Sequence, residues 1–167
     1  MLSEKLLDAL NIQFNYELES ANIYLAMAGY TSNLDLDGFT NWFMAQYKEE
    51  LFHAQKIMKF IGDKNGRTVV KAVIAPKNHF DSLLHVFEET LKHEEDITSK
   101  LYILMDIALE EREHATKSFL QWFIDEQVEE EASVSDMINK IKLVKDSGLY
   151  LLDQEASKRS FNAPTVV

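Results

Sequence analysis

The segment Glu49-Glu50-Leu51-Phe52-His53-Ala54 decides how this sequence folds and what its interior can bind. It lies in a stretch, residues 39–64, whose apolar residues recur with a helical period, and both Glu50 and His53 fall on the apolar stripe. Side chains three residues apart share one face of a helix, so this carboxylate and this imidazole can hold the same ion. An ionised carboxylate in a protein core is costly unless it is paired or bound to a metal. The segment therefore predicts a helix whose buried face ligates a metal.

The same arrangement occurs twice along the chain. A glutamate on one helical stripe is followed 33 residues later by an acid or amide on the next stripe, and three residues beyond by a further ligand-type side chain. The two sets are Glu17, Glu50 and His53, then Glu94, Gln127 and Glu130. A four-helix bundle that holds two metal ions in its core uses this kind of pattern. Ligation by many oxygens and one imidazole favours iron or manganese over zinc or copper.

Helical periodicity predicts four long helices, at residues 3–32, 39–64, 82–111 and 115–145. The short turn between the first two makes them antiparallel neighbours. Residues 65–81 lack a helical stripe, and a connection of this length predicts a crossover along the bundle. The expected fold is all-α, a four-helix bundle with a long crossover between helices 2 and 3.

The C-terminal part predicts a short fifth helix. Residues 147–159 contain an apolar piece after Gly148, and residues 160–167 form a frayed tail. No linker or low-complexity region divides the chain. We expect a single domain over residues 1–167, with the bundle at about 3–145.

The composition of the chain excludes several classes of fold and of function. The chain has 167 residues with only five Gly and two Pro, too little turn punctuation for a β-sandwich or an α/β fold. A net charge of −11 argues against nucleic acid or an anionic membrane as the partner. The absence of Cys excludes disulfides, thiolate nucleophiles and iron–sulfur ligation. With no signal-peptide pattern and no membrane-spanning apolar run, we expect a soluble, cytoplasmic protein.

A second Glu-x-x-His match, Glu111-Arg112-Glu113-His114, lies beside the predicted turn between helices 3 and 4. No glutamate on another helix pairs with it at the right depth. We interpret it as a surface coincidence. Glu131 is expected on a solvated face, and His79, His85 and His93 at surface or core-edge positions.

Almost the whole chain resembles the bacterial non-haem ferritins. The motifs that carry the resemblance are Glu17 with Asn22-Ile23-Tyr24-Leu25, Glu49–Ala54, His93-Glu94, Phe119–Phe123 leading into Glu126–Glu131, and Gly148-Leu149-Tyr150. The resemblance implies a ferritin-like bundle and a ferroxidase, which oxidises Fe²⁺ with O₂ or H₂O₂. It also implies iron storage in a hollow homo-oligomeric shell of twenty-four subunits.

The resemblance also implies the roles of individual residues. A first iron site would use Glu17, Glu50 and His53. A second would use Glu94 and Glu130, bridged by Glu50, with Gln127 nearby. A third, cavity-side site would use Glu49, Glu126 and Glu129 and share Glu130, and Tyr24 would be an aromatic neighbour of the di-iron pair.

Four other protein classes are weighed against this resemblance. A haem-containing bacterioferritin needs a second Glu-x-x-His where this chain has Gln127 to Glu130, and a methionine where it has Phe52, so no haem is expected. A rubrerythrin needs a Cys-rich iron domain. A small DNA-protecting cage would lack the fifth helix and place its ligands between subunits. A non-catalytic helical interaction protein would not explain buried glutamates in register.

Overall fold

The chain forms four α-helices and, over the described residues, no β-strand. A computed structural model describes residues 2–163, without the side chains of residues 145 and 146. The helices are α1 (Glu4–Ser32), α2 (Asp37–Asp63), α3 (Leu83–Glu110) and α4 (His114–Ala156). Their bounds lie within two residues of the predicted ones, except at the end of α4. None of the helices described is both long enough and apolar enough to cross a membrane.

Side chains cap the N-termini of three helices. Ser3 caps α1 by accepting a hydrogen bond from the Leu6 N–H, and Ser82 does the same for α3. Glu113 accepts a bond from the Thr116 N–H, 2.6 Å away, at the start of α4. Each cap satisfies a backbone donor that the first helical turn leaves unpaired.

Helix α1 packs along α2 and α3 along α4, and the two pairs close into a bundle. Two hydrophobic clusters fill its ends. On α2, for example, Phe43 belongs to one cluster and Ala54 to the other. Glu50 lies between them in sequence, and on every helix a buried polar residue separates the two clusters, whose order is reversed on α1 and α4. The bundle therefore holds one buried polar layer between two apolar layers.

The crossover, residues 65–81, contains no regular element and runs along α1. Asn11 donates to the carbonyl of Arg67 and accepts from the Val69 N–H, at 3.1 and 2.7 Å. Asn15, one turn on, donates to the carbonyl of Val69 and accepts from the Lys71 N–H, at 2.8 and 2.7 Å. These two buried amides replace the pairing that a β-strand would give this backbone. The predicted crossover is confirmed.

The C-terminal arm of α4 folds back against the bundle. Lys140 Nζ lies 2.7 Å from Glu155 Oε1, although fifteen residues of straight helix would separate them by roughly 22 Å. Gly148 allows the bend, because a Cβ there would lie 2.7 Å from the Cβ of Val144. The folded-back arm is the predicted short fifth helix, and it ends at Ala156 without a break in α4.

The arm is fixed to the start of α2. Asp153 accepts a hydrogen bond from the Phe39 N–H at 3.0 Å, and a Cβ on Gly38 would lie 1.7 Å from the Asp153 carbonyl oxygen. Only glycine permits this close approach. Of the predicted frayed tail, residues 160–163 lie outside any helix, yet the Phe161 ring packs 5.6 Å from that of Phe52. Residues 164–167 lie outside the described part of the chain.

Candidate metal centre

The buried polar layer brings together six side chains from all four helices. Each of them is at most 4% exposed. They are Glu17 on α1, Glu50 and His53 on α2, Glu94 on α3, and Gln127 and Glu130 on α4. The two sets that the 33-residue spacing predicts therefore meet at one level of the bundle.

Glu17, Glu50 and His53 form a candidate metal site. One ligand atom from each lies within 4.8 Å of the others. Oε2 of Glu17, Oε2 of Glu50 and Nε2 of His53 are buried without a hydrogen-bond partner among the described residues. An unsatisfied buried polar atom costs about 1–3 kcal/mol, so three of them together indicate that a ligand completes the site. Two carboxylates and an imidazole fit a divalent cation.

Neighbouring groups fix the orientation of these ligands. Gln13, itself buried, donates from Nε2 to Oε1 of Glu17 at 2.8 Å and leaves Oε2 open. The His53 ring lies edge-on to Trp122 and Phe123, at centroid distances of 5.5 and 5.6 Å. Packing therefore holds the imidazole in place without using Nε2.

The carboxylates of the second set, Glu94 and Glu130, accept hydrogen bonds from other side chains. Tyr24 donates from its hydroxyl to Oε1 of Glu94, and Gln127 donates from Nε2 to Oε2 of Glu94 at 3.1 Å. Gln46, one turn before Glu50, donates to Oε2 of Glu130 at 2.7 Å. Gln127 thus contacts Glu94 through its amide nitrogen, and its role as a metal ligand stays a prediction.

Burial shapes the electrostatics of the centre. It raises the pKa of Glu17 and of Glu50 well above the usual range, and nearby carboxylates raise both pKa values further. Burial followed by repulsion from Glu130 raises the pKa of Glu94 to about 7, against the hydrogen bonds from Tyr24 and Gln127. The same two causes raise the pKa of Glu49 to about 7. Crowded carboxylates of this kind are suited to cations.

A second group of possible ligands adjoins the first. Glu49, His53 and Glu126 each offer an atom within 4.8 Å of the others, and burial raises the pKa of the half-buried Glu126. Glu129, predicted for the third site, is exposed and is not a member of this group. His53 thus belongs to both groups, which the sequence analysis missed. The sequence contains one indication of this: Glu49 and His53 are four residues apart on the same helix, so their side chains share a face.

Sequence analysis also missed Arg159. Its guanidinium Nη2 lies 3.5 Å from Oε2 of Glu49 and 3.7 Å from Oε2 of Glu130, and it hydrogen-bonds Oε1 of Gln46. No pattern could have found it, because the bend in α4 brings it to the centre from the far end of the chain.

Residues outside the centre follow their predicted roles more closely. Glu111 lies in the α3–α4 connection and accepts a hydrogen bond from the Ser3 hydroxyl. His93 is partly buried at the core edge, where burial lowers its pKa to about 4, and its Nε2 lies 2.8 Å from the Ser20 hydroxyl. Glu131 is half-buried and accepts a hydrogen bond from the Thr98 hydroxyl, so it is less solvated than expected.

Comparison with known proteins points to one family. The ferritin-like domain family matches residues 7–144. The bacterial non-heme ferritin of Staphylococcus aureus strain MRSA252 is 44% identical over 164 residues, which cover 97% of this chain and 99% of that protein. The protein of the same name from Staphylococcus saprophyticus is 43% identical over 97% of this chain and 98% of its own length.

Solved structures agree with the sequence comparison. An open-pore ferritin from the hyperthermophilic archaeon Archaeoglobus fulgidus superposes with a TM-score of 0.94 at 42% identity, over 96% of this chain and 99% of that one. A humanized archaeal ferritin gives a TM-score of 0.95 at 40% identity, over 97% of this chain and 99% of that one. The two comparisons agree on family and fold.

Proposed function

The chain belongs to the ferritin family, and from that premise we propose that it oxidises Fe²⁺ to Fe³⁺ and stores the iron inside a shell of its own copies. The observation that carries this proposal is the buried group of Glu17, Glu50 and His53: Oε2 of each glutamate lacks a hydrogen-bond partner among the described residues and lies 3.9 and 3.6 Å, respectively, from Nδ1 of His53. A storage shell without its own oxidation site would have no need of such a costly arrangement.

The first Fe²⁺ is bound by Glu17, Glu50 and His53. The second is bound by Glu94 and Glu130, with Glu50 as the shared ligand. For this, the carboxylates of Glu94 and Glu130 turn toward the iron and give up the hydrogen bonds that Gln127 and Gln46 donate to them. Four carboxylates balance the charge of two divalent ions.

Each Fe²⁺ gives up one electron, so the pair reduces one O₂ by two electrons. H₂O₂ is the alternative oxidant, because it also accepts two electrons. The protein supplies position, charge and exclusion of water, and iron supplies the redox chemistry. Tyr24 holds Glu94 through its hydroxyl and lies fully buried beside the pair.

We further propose that Fe³⁺ leaves through a third site on the side of Glu49 and Glu126. The proximity of these two carboxylates to His53 supports this route. Glu129 and Glu130 complete the predicted set. Carboxylates that shift between ligand modes would let iron pass from the pair toward the cavity.

Association of copies is supported by the large apolar side chains that the single chain exposes. Val70 and Ile74 on the crossover are 70% and 74% exposed, and Leu143, Tyr150 and Leu151 near the C-terminal arm are more than two-thirds exposed. Large apolar side chains that a single chain exposes become covered when copies associate, which is consistent with an assembly. We propose a cytoplasmic shell of twenty-four subunits in which residues 1–167 form one domain, without haem.

The test is aerobic Fe²⁺ loading of metal-free protein, followed by size exclusion with iron and protein measured in each fraction. We expect iron to co-elute with a large shell at far more than about two ions per chain, which a two-metal site alone cannot hold. Iron that stops at about two per chain would leave a two-iron oxidase and contradict storage.

A further inference from the structure

The guanidinium of Arg159 lies beside the carboxylates of the proposed third site. Its Nη2 is 3.5 Å from Oε2 of Glu49 and 3.7 Å from Oε2 of Glu130. These distances are those of ion pairs, longer than a good hydrogen bond. The Arg159 side chain is 24% exposed and its two partners are 14% and 4% exposed, so the charges are only partly screened.

Other contacts hold the guanidinium in this position. Nη1 donates to Oγ of Ser133 at 2.8 Å, and Nη2 donates to Oε1 of Gln46. The group also stacks on Trp42, with Cζ 4.7 Å from the ring centroid. Asn41 donates to the backbone carbonyl of Arg159 at 2.8 Å. The positive charge is therefore fixed by neutral partners and does not depend on the carboxylates for its place.

Gln46 connects this charge to the metal layer. The Gln46 amide accepts from Arg159 through Oε1 and donates to Glu130 through Nε2, at 2.7 Å in the latter case. Gln46 is fully buried, so it has no water to replace either partner. The position of Glu130 is thus coupled to that of Arg159.

We propose that Arg159 is a positioning residue that weakens cation binding at the third site. Its fixed charge stabilises Glu49 and Glu130 when no metal is bound and repels a cation that binds between them. The third ion is then held less tightly than the first two, which suits a site that iron must leave. This inference rests on the proposed third site.

The test is a calorimetric titration of metal-free protein with Zn²⁺, a redox-inert substitute for Fe²⁺. Removing one partly exposed charge in R159Q should tighten the weakest class of sites by about fivefold. R159K keeps the charge and should stay within about twofold of the wild type. K158Q removes an exposed charge from the adjacent residue and serves as the matched control.

A variant that packs poorly is distinguished by melting. A purely structural role of Arg159 would lower Tm equally with and without Zn²⁺, whereas loss of a repelling charge should widen the Zn²⁺-induced rise in Tm. R159M removes the charge but keeps an unbranched side chain that can pack against Trp42, and it should widen the rise as R159Q does. Unchanged Zn²⁺ affinity in R159Q and R159M, or equal tightening in R159K and K158Q, would overturn the proposal.

Failure of this inference is separable from failure of the proposed function. The Zn²⁺ titration involves no oxidation and no mineral. If iron loads normally but R159Q binds Zn²⁺ with the wild-type affinity, only the proposed role of Arg159 is rejected. If iron loading fails but R159Q binds Zn²⁺ more tightly than the wild type, iron storage is rejected and the effect of the Arg159 charge is retained.

Discussion

Oε2 of Glu50 lies 3.6 Å from Nδ1 of His53, one helical turn further along α2, and within the described part of the chain this buried oxygen has no hydrogen-bond partner. Two groups that could pair are instead held just apart. Packing of the imidazole against Trp122 and Phe123 maintains the gap. The resulting space between a carboxylate and an imidazole is what a cation requires, and it makes the first prediction.

Replacing Glu50 or His53 by Ala should abolish rapid Fe²⁺ oxidation, because each change removes a ligand of the proposed first site, while the shell still assembles. Stopped-flow absorbance after mixing with Fe²⁺ and O₂ measures the rate. The matched controls are E111A and H114A, which disrupt the other Glu-x-x-His match and should oxidise iron at the wild-type rate. Fast oxidation in E50A would overturn the site assignment.

Stability of the metal-free protein should depend on pH through Glu94. Its pKa rises from 4.5 to about 7 on folding, so the folded chain keeps a proton that the unfolded chain releases between these values. The stabilising contribution is therefore full below about pH 4.5 and is lost as the pH rises through about 7.

The E94Q variant removes this titration while keeping the side-chain shape. Compared with E94Q, the wild type should lose Tm between about pH 5 and about pH 8, and added Zn²⁺ should reverse the loss. E95Q changes the adjacent, exposed glutamate and should behave as the wild type. A Tm difference between wild type and E94Q that does not vary with pH would contradict the assigned pKa.

The proposed third site should depend on Glu126 more than on Glu129, because Glu126 lies with Glu49 and His53 and Glu129 does not. E126A should slow turnover after the first two irons per chain or alter the O₂ consumed per iron, and E129A should change both less. Oxygen-electrode measurements at increasing iron-to-protein ratios report both quantities. If the triple variant with Ala at 49, 126 and 129 keeps wild-type stoichiometry and turnover, the third site has no role in oxidation.

The crossover should depend on Asn15 for its attachment. Replacing Asn15 by Ala leaves the Val69 carbonyl and the Lys71 N–H without their partner, and should lower the free energy of unfolding by about 1–3 kcal/mol. Denaturant unfolding measures the loss, and protease cleavage within residues 65–81 should accelerate. Among the described residues, the Asn22 side chain bonds only to the Leu18 carbonyl within α1, so N22A is the control. Equal effects of the two changes would show that the crossover is held by other contacts.

Sequence patterns predict the helices and the six side chains that meet in the buried polar layer. Helical period and the scarcity of Gly and Pro placed α1, α2 and α3 to within two residues, because local hydrogen bonding and an apolar stripe suffice to define a long helix. The 33-residue spacing placed Glu17 opposite Glu50 and Glu94 opposite Gln127, because antiparallel neighbours joined by a turn have a fixed register. The resemblance to ferritins added the third site and Tyr24.

Which oxygen and nitrogen atoms of those side chains stay free to bind a cation depends on contacts between the helices. Gln13 and Gln127 turn their amide nitrogens toward carboxylates, and the side-chain rotamers that do this depend on packing from other helices. The fold-back at Gly148 and the arrival of Arg159 beside Glu49 join residues 110 positions apart. Helical periodicity describes one helix at a time, so it cannot predict contacts between segments that are far apart in the sequence.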